Sequence, residues 1–76
     1  MIYRIHRTDK TQMYLTQNVS RFTSNDNNGG EWRTVSGVKK AIFKLGRGTD
    51  NISIEWCDLE TGFKSVPASK FFLNNA

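Results

Sequence analysis

Apolar and polar residues alternate at the start of the chain, as they do in a strand that buries one face. In residues 2–8 the apolar side chains of Tyr3 and Ile5 share one face of such a strand. A polar, turn-like segment at 8–11 separates this run from a second extended run at 12–16. We therefore predict that the chain begins with a β-hairpin.

A long polar segment follows the predicted hairpin. Residues 18–30 are rich in Asn, Ser, Thr, Asp and Gly, which favour loops. Val19 and Phe22 are apolar exceptions, and we expect them to pin the first half of the loop to the core. The second half, at about 23–30, holds nothing apolar and is predicted to be flexible.

The period then changes from that of a strand to that of a helix. Thr34 is a good N-cap residue, and Gly46 can adopt the left-handed conformation that ends a helix. Between them, five apolar residues recur at a spacing that places them on one side of a helix. They are Val35, Val38, Ala41, Ile42 and Leu45.

The last part of the chain returns to strict alternation. Residues 51–57 give the strongest strand pattern, with three large apolar residues on one face. A turn at 58–62, with Gly62 at a positive φ, joins this strand to a return strand at 63–66. The tail at 68–73 fits either a helical turn or a short extended piece.

Together these elements predict one α+β domain spanning residues 1–76. Its order is β-β-α-β-β, with one helix packed on a mostly antiparallel sheet. Trp32 and Trp56 are expected in the core, and Phe71 or Phe72 of the tail is expected to dock on it.

Composition agrees with a small folded domain of a reducing compartment. Hydrophobic residues make up 37% of the 76 residues, which is too apolar for a disordered chain. The single Cys57 has no partner for an internal disulfide, and no zinc-type spacing surrounds the single His6. The chain lacks an apolar stretch typical of a signal peptide or a membrane span, so we expect a cytoplasmic protein that binds no membrane.

The residue types needed for catalysis are present, but no motif arranges them. Cys57 and His6 could form a nucleophilic dyad; the alternative makes His6 an exposed strand residue and Cys57 a half-buried strand end. Glu55, Asp58 and Glu60 lack the spacing of a calcium loop and are predicted to form a solvated acidic hairpin. We predict that the protein is not an enzyme and holds no cofactor and no metal.

Positive charge gathers on the predicted outer face of the helix. The chain has a formal net charge of +4 and a pI near 9.6. The predicted binding face carries basic residues around one aromatic ring, and the helix has no acidic residue to pair with them. Its members are Arg33, Lys39, Lys40, Phe43, Lys44 and Arg47. The alternative is that Phe43 tucks into the core and leaves an ordinary solvated lysine face.

The first hairpin carries a second positive area. Arg4 and His6 project together from the predicted strand, whereas Arg7 projects from the opposite face. Lys10 lies at the predicted tip. Whether this area joins the helix face depends on the order of the strands.

Part of the pattern resembles small bacteriophage accessory proteins of unassigned function. The resemblance covers residues 3–42 and rests on four short segments. They are Tyr3-Arg4-Ile5, Arg21-Phe22, Gly30-Glu31-Trp32-Arg33-Thr34 and Gly37-Val38-Lys39-Lys40-Ala41. It implies a phage origin, action in the bacterial host cytoplasm, and stoichiometric binding to a host enzyme or defence complex, as in anti-CRISPR-like and other anti-defence inhibitors.

Two functional hypotheses follow. The first is a non-enzymatic phage-type accessory protein that binds and inhibits a host protein or ribonucleoprotein complex with an acidic surface. The alternative is a small basic module that binds DNA or RNA, with lysines on phosphates and Phe43 stacking on a base. Either protein is expected to be a monomer or a homodimer.

Overall fold

The structure, a computed structural model, describes residues 1–9, 13–46 and 48–75. In this part of the chain, two helices pack on one face of an antiparallel sheet. The α+β class is confirmed. The elements in chain order are β1 (Tyr3–Arg7), β2 (Met13–Leu15), β3 (Phe22–Thr23), a 3-10 turn (Asp26–Asn28), α1 (Val35–Leu45), β4 (Ile52–Asp58), β5 (Gly62–Pro67) and α2 (Ala68–Asn74).

The sheet has the order β3-β2-β1-β4-β5, and every neighbouring pair is antiparallel. Both predicted hairpins are present, as β1–β2 and β4–β5. Strand β1 joins them, because its five residues pair with β4 from Tyr3 opposite Trp56 to Arg7 opposite Ile52. The two hairpins therefore form one continuous sheet with β1 at its centre.

The core lies between one face of this sheet and the helices. Ile5 of β1 and Ile54 of β4 are paired in the register and are completely buried. The side chains of Val38, Ala41 and Ile42 bury the inner face of α1 against the same cluster, as the helical spacing predicted. Trp32 and Trp56 are partly buried and pack on the cluster, as expected.

Helix α1 begins and ends where the sequence predicted. The Thr34 hydroxyl accepts a hydrogen bond from the Gly37 N–H at 3.0 Å, which satisfies one of the free amides of the first turn. Gly46 has φ of 75° and donates its N–H to the Ile42 carbonyl. A side chain at Gly46 would strain this left-handed cap.

The prediction of a single helix was incomplete, because the tail forms a second one. Pro67 ends β5 and stands at the N-cap of α2 without a side-chain capping bond. Phe71 is buried and packs its ring against Tyr3 and Trp56 at centroid distances of 5.5 and 5.9 Å. Packing on the core holds this seven-residue helix, together with Asn75, whose side-chain amide donates a hydrogen bond to the Phe71 carbonyl at 2.8 Å.

The polar segment 18–30 contains a short strand and a 3-10 turn instead of one continuous loop. Val19 and Phe22 pack on the core, as predicted. The second half is held by backbone contacts, since the buried Gly30 donates its N–H to the Leu15 carbonyl at 2.7 Å. Trp32 then exchanges two backbone hydrogen bonds with Tyr3. The predicted flexibility of 23–30 stays a prediction.

The longer helix, α1, has 11 residues. Neither α1 nor α2 is long and apolar enough to cross a bilayer, and no other helix in the described ranges is.

Gly30→Ala should destabilise the fold, because the added Cβ would lie 2.7 Å from the Trp32 ring and 2.8 Å from the Gln17 backbone. Backbone atoms cannot move aside cheaply, so we expect the free energy of unfolding to fall by about 1–3 kcal/mol. Urea denaturation followed by tryptophan fluorescence measures the change. Asn28→Ala, in an exposed position of the same segment, is the control and should have little effect.

Candidate functional site

Positive charge is concentrated in the two helices, which together are called the helical layer below. Helix α1 carries three lysines and α2 carries one, and neither helix contains an acidic residue. All seven acidic residues of the chain lie in other segments. Among the described residues, no carboxylate is within ion-pair distance of these lysines. The helical layer therefore presents an uncompensated positive surface.

Phe43 stands out from this layer with 89% of its surface exposed. Its exposure was predicted from the helical spacing, and the alternative that it is a core residue is wrong. Lys40 and Lys44 are exposed on the same helix, and Arg33 is exposed just before its N-cap. These four residues of the predicted binding face are therefore accessible to a partner, whereas Arg47 lies outside the described residues.

Lys39 has a structural contact that the sequence did not predict. Its side chain is half-buried, and its Nζ donates a hydrogen bond to the Asn75 backbone carbonyl at 2.7 Å. This bond ties the middle of α1 to the C-terminal end of α2. Lys39 thus contributes to the positive charge of the layer and also fixes the two helices to each other.

A groove of about 750 Å³ lies beside Phe43. Phe43, Ile42 and Phe72 give it apolar walls, and its other lining residues are Lys39, Gly46, Gly48 and Thr49. An exposed aromatic ring and an apolar groove are thus adjacent on a lysine-bearing surface. The exposed Phe43 ring and the groove beside it are together called the Phe43 groove.

The opposite face of the sheet carries a polar cluster instead of an apolar surface. Its members are Arg4, His6, Tyr14, Glu55 and Ser65. The strand register places Arg4 and Ser65 on either side of Glu55, and His6 opposite Tyr14. Because directly paired residues share a face, all five side chains lie on the side away from the helices.

Glu55 is the buried centre of this polar cluster. It is 7% exposed, and the Tyr14 hydroxyl donates to its carboxylate, 3.2 Å from Oε1 and 3.3 Å from Oε2. Tyr14 belongs to β2 and reaches Glu55 across β1. The prediction that Glu55 belongs to a solvated acidic hairpin was therefore wrong. A buried charge needs such hydrogen bonds, because water no longer solvates it.

Asp58 and Glu60 do lie in the hairpin turn, away from Glu55. Asp58 Oδ1 accepts the Glu60 N–H at 2.9 Å, and this backbone hydrogen bond holds the pKa of the Asp58 carboxyl below its usual value. Among the residues described, no three His, Cys, Asp or Glu side chains come together as metal ligands. Asp58 has a turn-forming role.

Both arginines of the expected positive area on the first hairpin are paired with carboxylates, and Lys10 at its predicted tip lies outside the described residues. Arg4 Nη2 lies 3.6 Å from Glu31 Oε2, and Arg7 makes two short contacts to Asp9. The hydrogen bond from Arg7 to Asp9 raises the pKa of the arginine. These pairings were invisible in the alternation pattern, because the carboxylates come from segments outside the strand.

His6 does not meet Cys57, so the nucleophilic dyad that their residue types would allow does not form. His6 is opposite Ser53 in the register, and Cys57 lies four residues further along β4, about 13 Å at the rise of a strand. Cys57 is exposed rather than half-buried, and His6 is half-buried rather than exposed. A nucleophile and its base need direct hydrogen-bond reach.

His6 instead lies between a hydroxyl and a carboxylate. Its Nε2 is 3.3 Å from Ser65 Oγ and 3.8 Å from Glu55 Oε2. In a catalytic triad the carboxylate binds one ring nitrogen and the hydroxyl binds the other. Here both partners approach the same nitrogen. The arrangement has the residue types of a triad but not its relay geometry.

No protein-family model, curated protein or solved structure matches this chain. Its function must therefore be argued from these two surfaces.

Tyr14→Phe should destabilise the fold by about 1–3 kcal/mol, because it removes a hydrogen bond from the buried Glu55 carboxylate. The change in the free energy of unfolding is measured by urea denaturation at neutral pH. Tyr3→Phe removes the chain's other tyrosine hydroxyl and serves as the control. Equal losses in the two variants would contradict a special role for the Tyr14 hydroxyl.

Proposed function

We propose that this protein is a non-enzymatic binding protein whose helical layer docks on an acidic surface of a protein or ribonucleoprotein complex. The observation that carries the proposal is Phe43, 89% exposed on a layer that has four lysines and no carboxylate. A phenylalanine left in water gains about 1.5–3 kcal/mol when a partner buries it.

The two kinds of residue in the layer have different roles in this proposal. Phe43 is the anchor, since aromatic side chains at the centre of an interface contribute most of the binding energy. Lys40 and Lys44 lie on the same helix and form a rim that attracts an acidic partner at long range. Affinity then depends mainly on Phe43, whereas the rate of association and its salt dependence depend on the lysines.

The Phe43 groove supplies the second half of the contact. With Ile42 and Phe72 in its walls, it accepts an apolar side chain from the partner while Phe43 inserts into the partner's surface. The hydrogen bond from Lys39 to Asn75 joins α1 to the end of α2 beside this groove.

Inhibition of a host defence or nucleic-acid-processing complex is the form of binding that the bacteriophage resemblance implies. An inhibitor of this kind acts by occluding a surface and needs affinity but no catalytic group. The shared approach of Ser65 and Glu55 to one nitrogen of His6 supports a non-enzymatic protein.

Nucleic acid is the alternative partner of the same surface. Lysines without acidic neighbours also suit phosphates, and an exposed phenylalanine can stack on a base. The two functions differ in which substitution weakens binding most. Phosphate binding is weakened by each lysine removed and falls steeply with salt, whereas docking on a protein is weakened most by loss of Phe43.

Capture from bacterial lysate by an amino-terminally tagged chain tests the proposal. We expect a stoichiometric protein partner whose affinity falls at least about tenfold with Phe43→Ala, because a central aromatic anchor is lost. Leu59→Ala is the matched control, since Leu59 is fully exposed in the turn between β4 and β5 and does not line the Phe43 groove. Lys40→Glu with Lys44→Glu should slow association, whereas Lys64→Glu on β5 should not.

Two outcomes would contradict docking on a protein. One is that no protein is retained, or that Phe43→Ala binds as well as Leu59→Ala does. The other is that nuclease treatment releases the captured material and the purified chain shifts DNA or RNA in gels at low salt only. The second outcome supports the nucleic-acid alternative.

A further inference from the structure

A cleft of about 380 Å³ lies on the face of the sheet away from the helices. Three aromatic residues contribute to its lining, together with two carboxylates and one guanidinium. They are Tyr14, Trp56, Phe63, Glu31, Glu55 and Arg4. Its volume is that of a small-ligand pocket, and it combines apolar walls with a few convergent polar groups. It is called the Glu55 cleft below.

The charge of the Glu55 cleft is opposite to that of the whole chain. One arginine and two glutamates give its lining a formal net charge of −1, whereas the chain carries +4. Glu55 is almost fully buried, so its charge is poorly solvated by water. The Tyr14 hydroxyl donates one hydrogen to Glu55 and His6 Nε2 lies 3.8 Å from Glu55 Oε2, whereas a carboxylate has about four acceptor positions. A ligand that donates hydrogen bonds and carries positive charge complements this lining.

Arg4 shows that a guanidinium fits these surroundings. Its guanidinium carbon lies 5.3 Å from the centroid of the Tyr14 ring, and its Nη2 lies 3.6 Å from Glu31 Oε2. A ring face and a carboxylate are the two groups that bind this cation best. Glu55 and the exposed Phe63 ring also line the cleft and supply a further carboxylate and a further ring.

From this geometry we propose that the Glu55 cleft binds a guanidinium-bearing cation. Glu55 and Glu31 accept its hydrogen bonds, and Phe63 covers its planar face. The cation is supplied either by a free small molecule or by an arginine side chain of another protein. This site is independent of the Phe43 groove, because the two lie on opposite faces of the sheet.

Titration of the untagged 76-residue chain with agmatine tests the site. Binding is followed by ¹H–¹⁵N NMR. We expect shifts concentrated at residues 4, 14, 31, 55–57 and 63, with a dissociation constant on the order of a millimolar. The control is the ureido analogue, in which an oxygen replaces one guanidinium nitrogen, so that the ligand keeps its ammonium group and loses only the guanidinium charge. It should bind at least about tenfold more weakly, because its urea group cannot form the charge-assisted hydrogen bonds of a guanidinium.

Three variants localise the binding. Glu31→Gln should weaken agmatine several-fold, and its half-exposed side chain makes it a substitution that leaves the fold intact. Phe63→Ala should weaken it similarly, because the cation loses its ring contact. Glu60→Gln, an exposed carboxylate of the β4–β5 turn, is the matched control and should leave binding unchanged. Glu55→Gln should remove binding, with its thermal denaturation curve showing whether the fold is kept.

The proposal is overturned if the ureido analogue binds as tightly as agmatine, if Glu60→Gln weakens binding as much as Glu31→Gln does, or if about 20 mM agmatine shifts no residue of the cleft. A capped Gly-Arg-Gly peptide distinguishes the two sources of the cation. Tighter binding of the peptide than of agmatine identifies an arginine side chain of a protein. Tighter binding of agmatine identifies a free small cation.

Discussion

The pairing of β1 with β4 is the contact on which the rest of the structure depends. Each hairpin is local in sequence, but Ile5 and Ile54 meet only when segments about 50 residues apart align in register. A shift of one residue would exchange the two faces of β1 and move Ile5 out of the core. The same register places Arg4 beside Glu55, so one set of backbone hydrogen bonds determines both the hydrophobic core and the polar cluster.

This architecture separates the molecule into two faces with opposite character. The helical layer buries the apolar face of the sheet and carries lysines outward, whereas the uncovered face holds its charges as pairs. Buried carboxylates need partners, and Tyr14 supplies one to Glu55 from two strands away. Lysines on a helix surface need none, because water solvates them. The difference explains why the net positive charge of the chain gathers on the helical layer.

Much of the fold could be predicted, because local patterns determine the hairpins and α1. Thr34 and Gly46 are recognisable caps, and the apolar positions between them keep the helical period. Helix α2 was harder, because its seven residues carry no capping side chain and are held by the distant contacts of Phe71. Strand β3 has two residues, which is too short for alternation to identify.

In the candidate sites, too, features set by local sequence could be predicted and features set by distant contacts could not. The exposure of Phe43 follows from its angular position on α1, so the sequence was sufficient to predict it. Burial of Glu55 depends on the order of the strands, since Tyr14 must reach it over β1. The alternation along β4 placed Glu55 on the face opposite to Ile54 and Trp56. It could not show whether that face is open to solvent or covered by large side chains. The distance of His6 from Cys57 likewise follows from the register alone.

The hydrogen bond between Lys39 and Asn75 also determines where a segment fused to the C-terminal end would leave the fold. The Asn75 carbonyl is hydrogen-bonded to Lys39, which lines the Phe43 groove. A segment fused after Asn75 would therefore leave the fold beside the proposed docking surface. Ile2, at the other end, lines the Glu55 cleft. Ile2 and Asn75 thus lie beside different ones of the two surfaces. The end that carries a fusion selects which of them is shielded and which is left open to a partner.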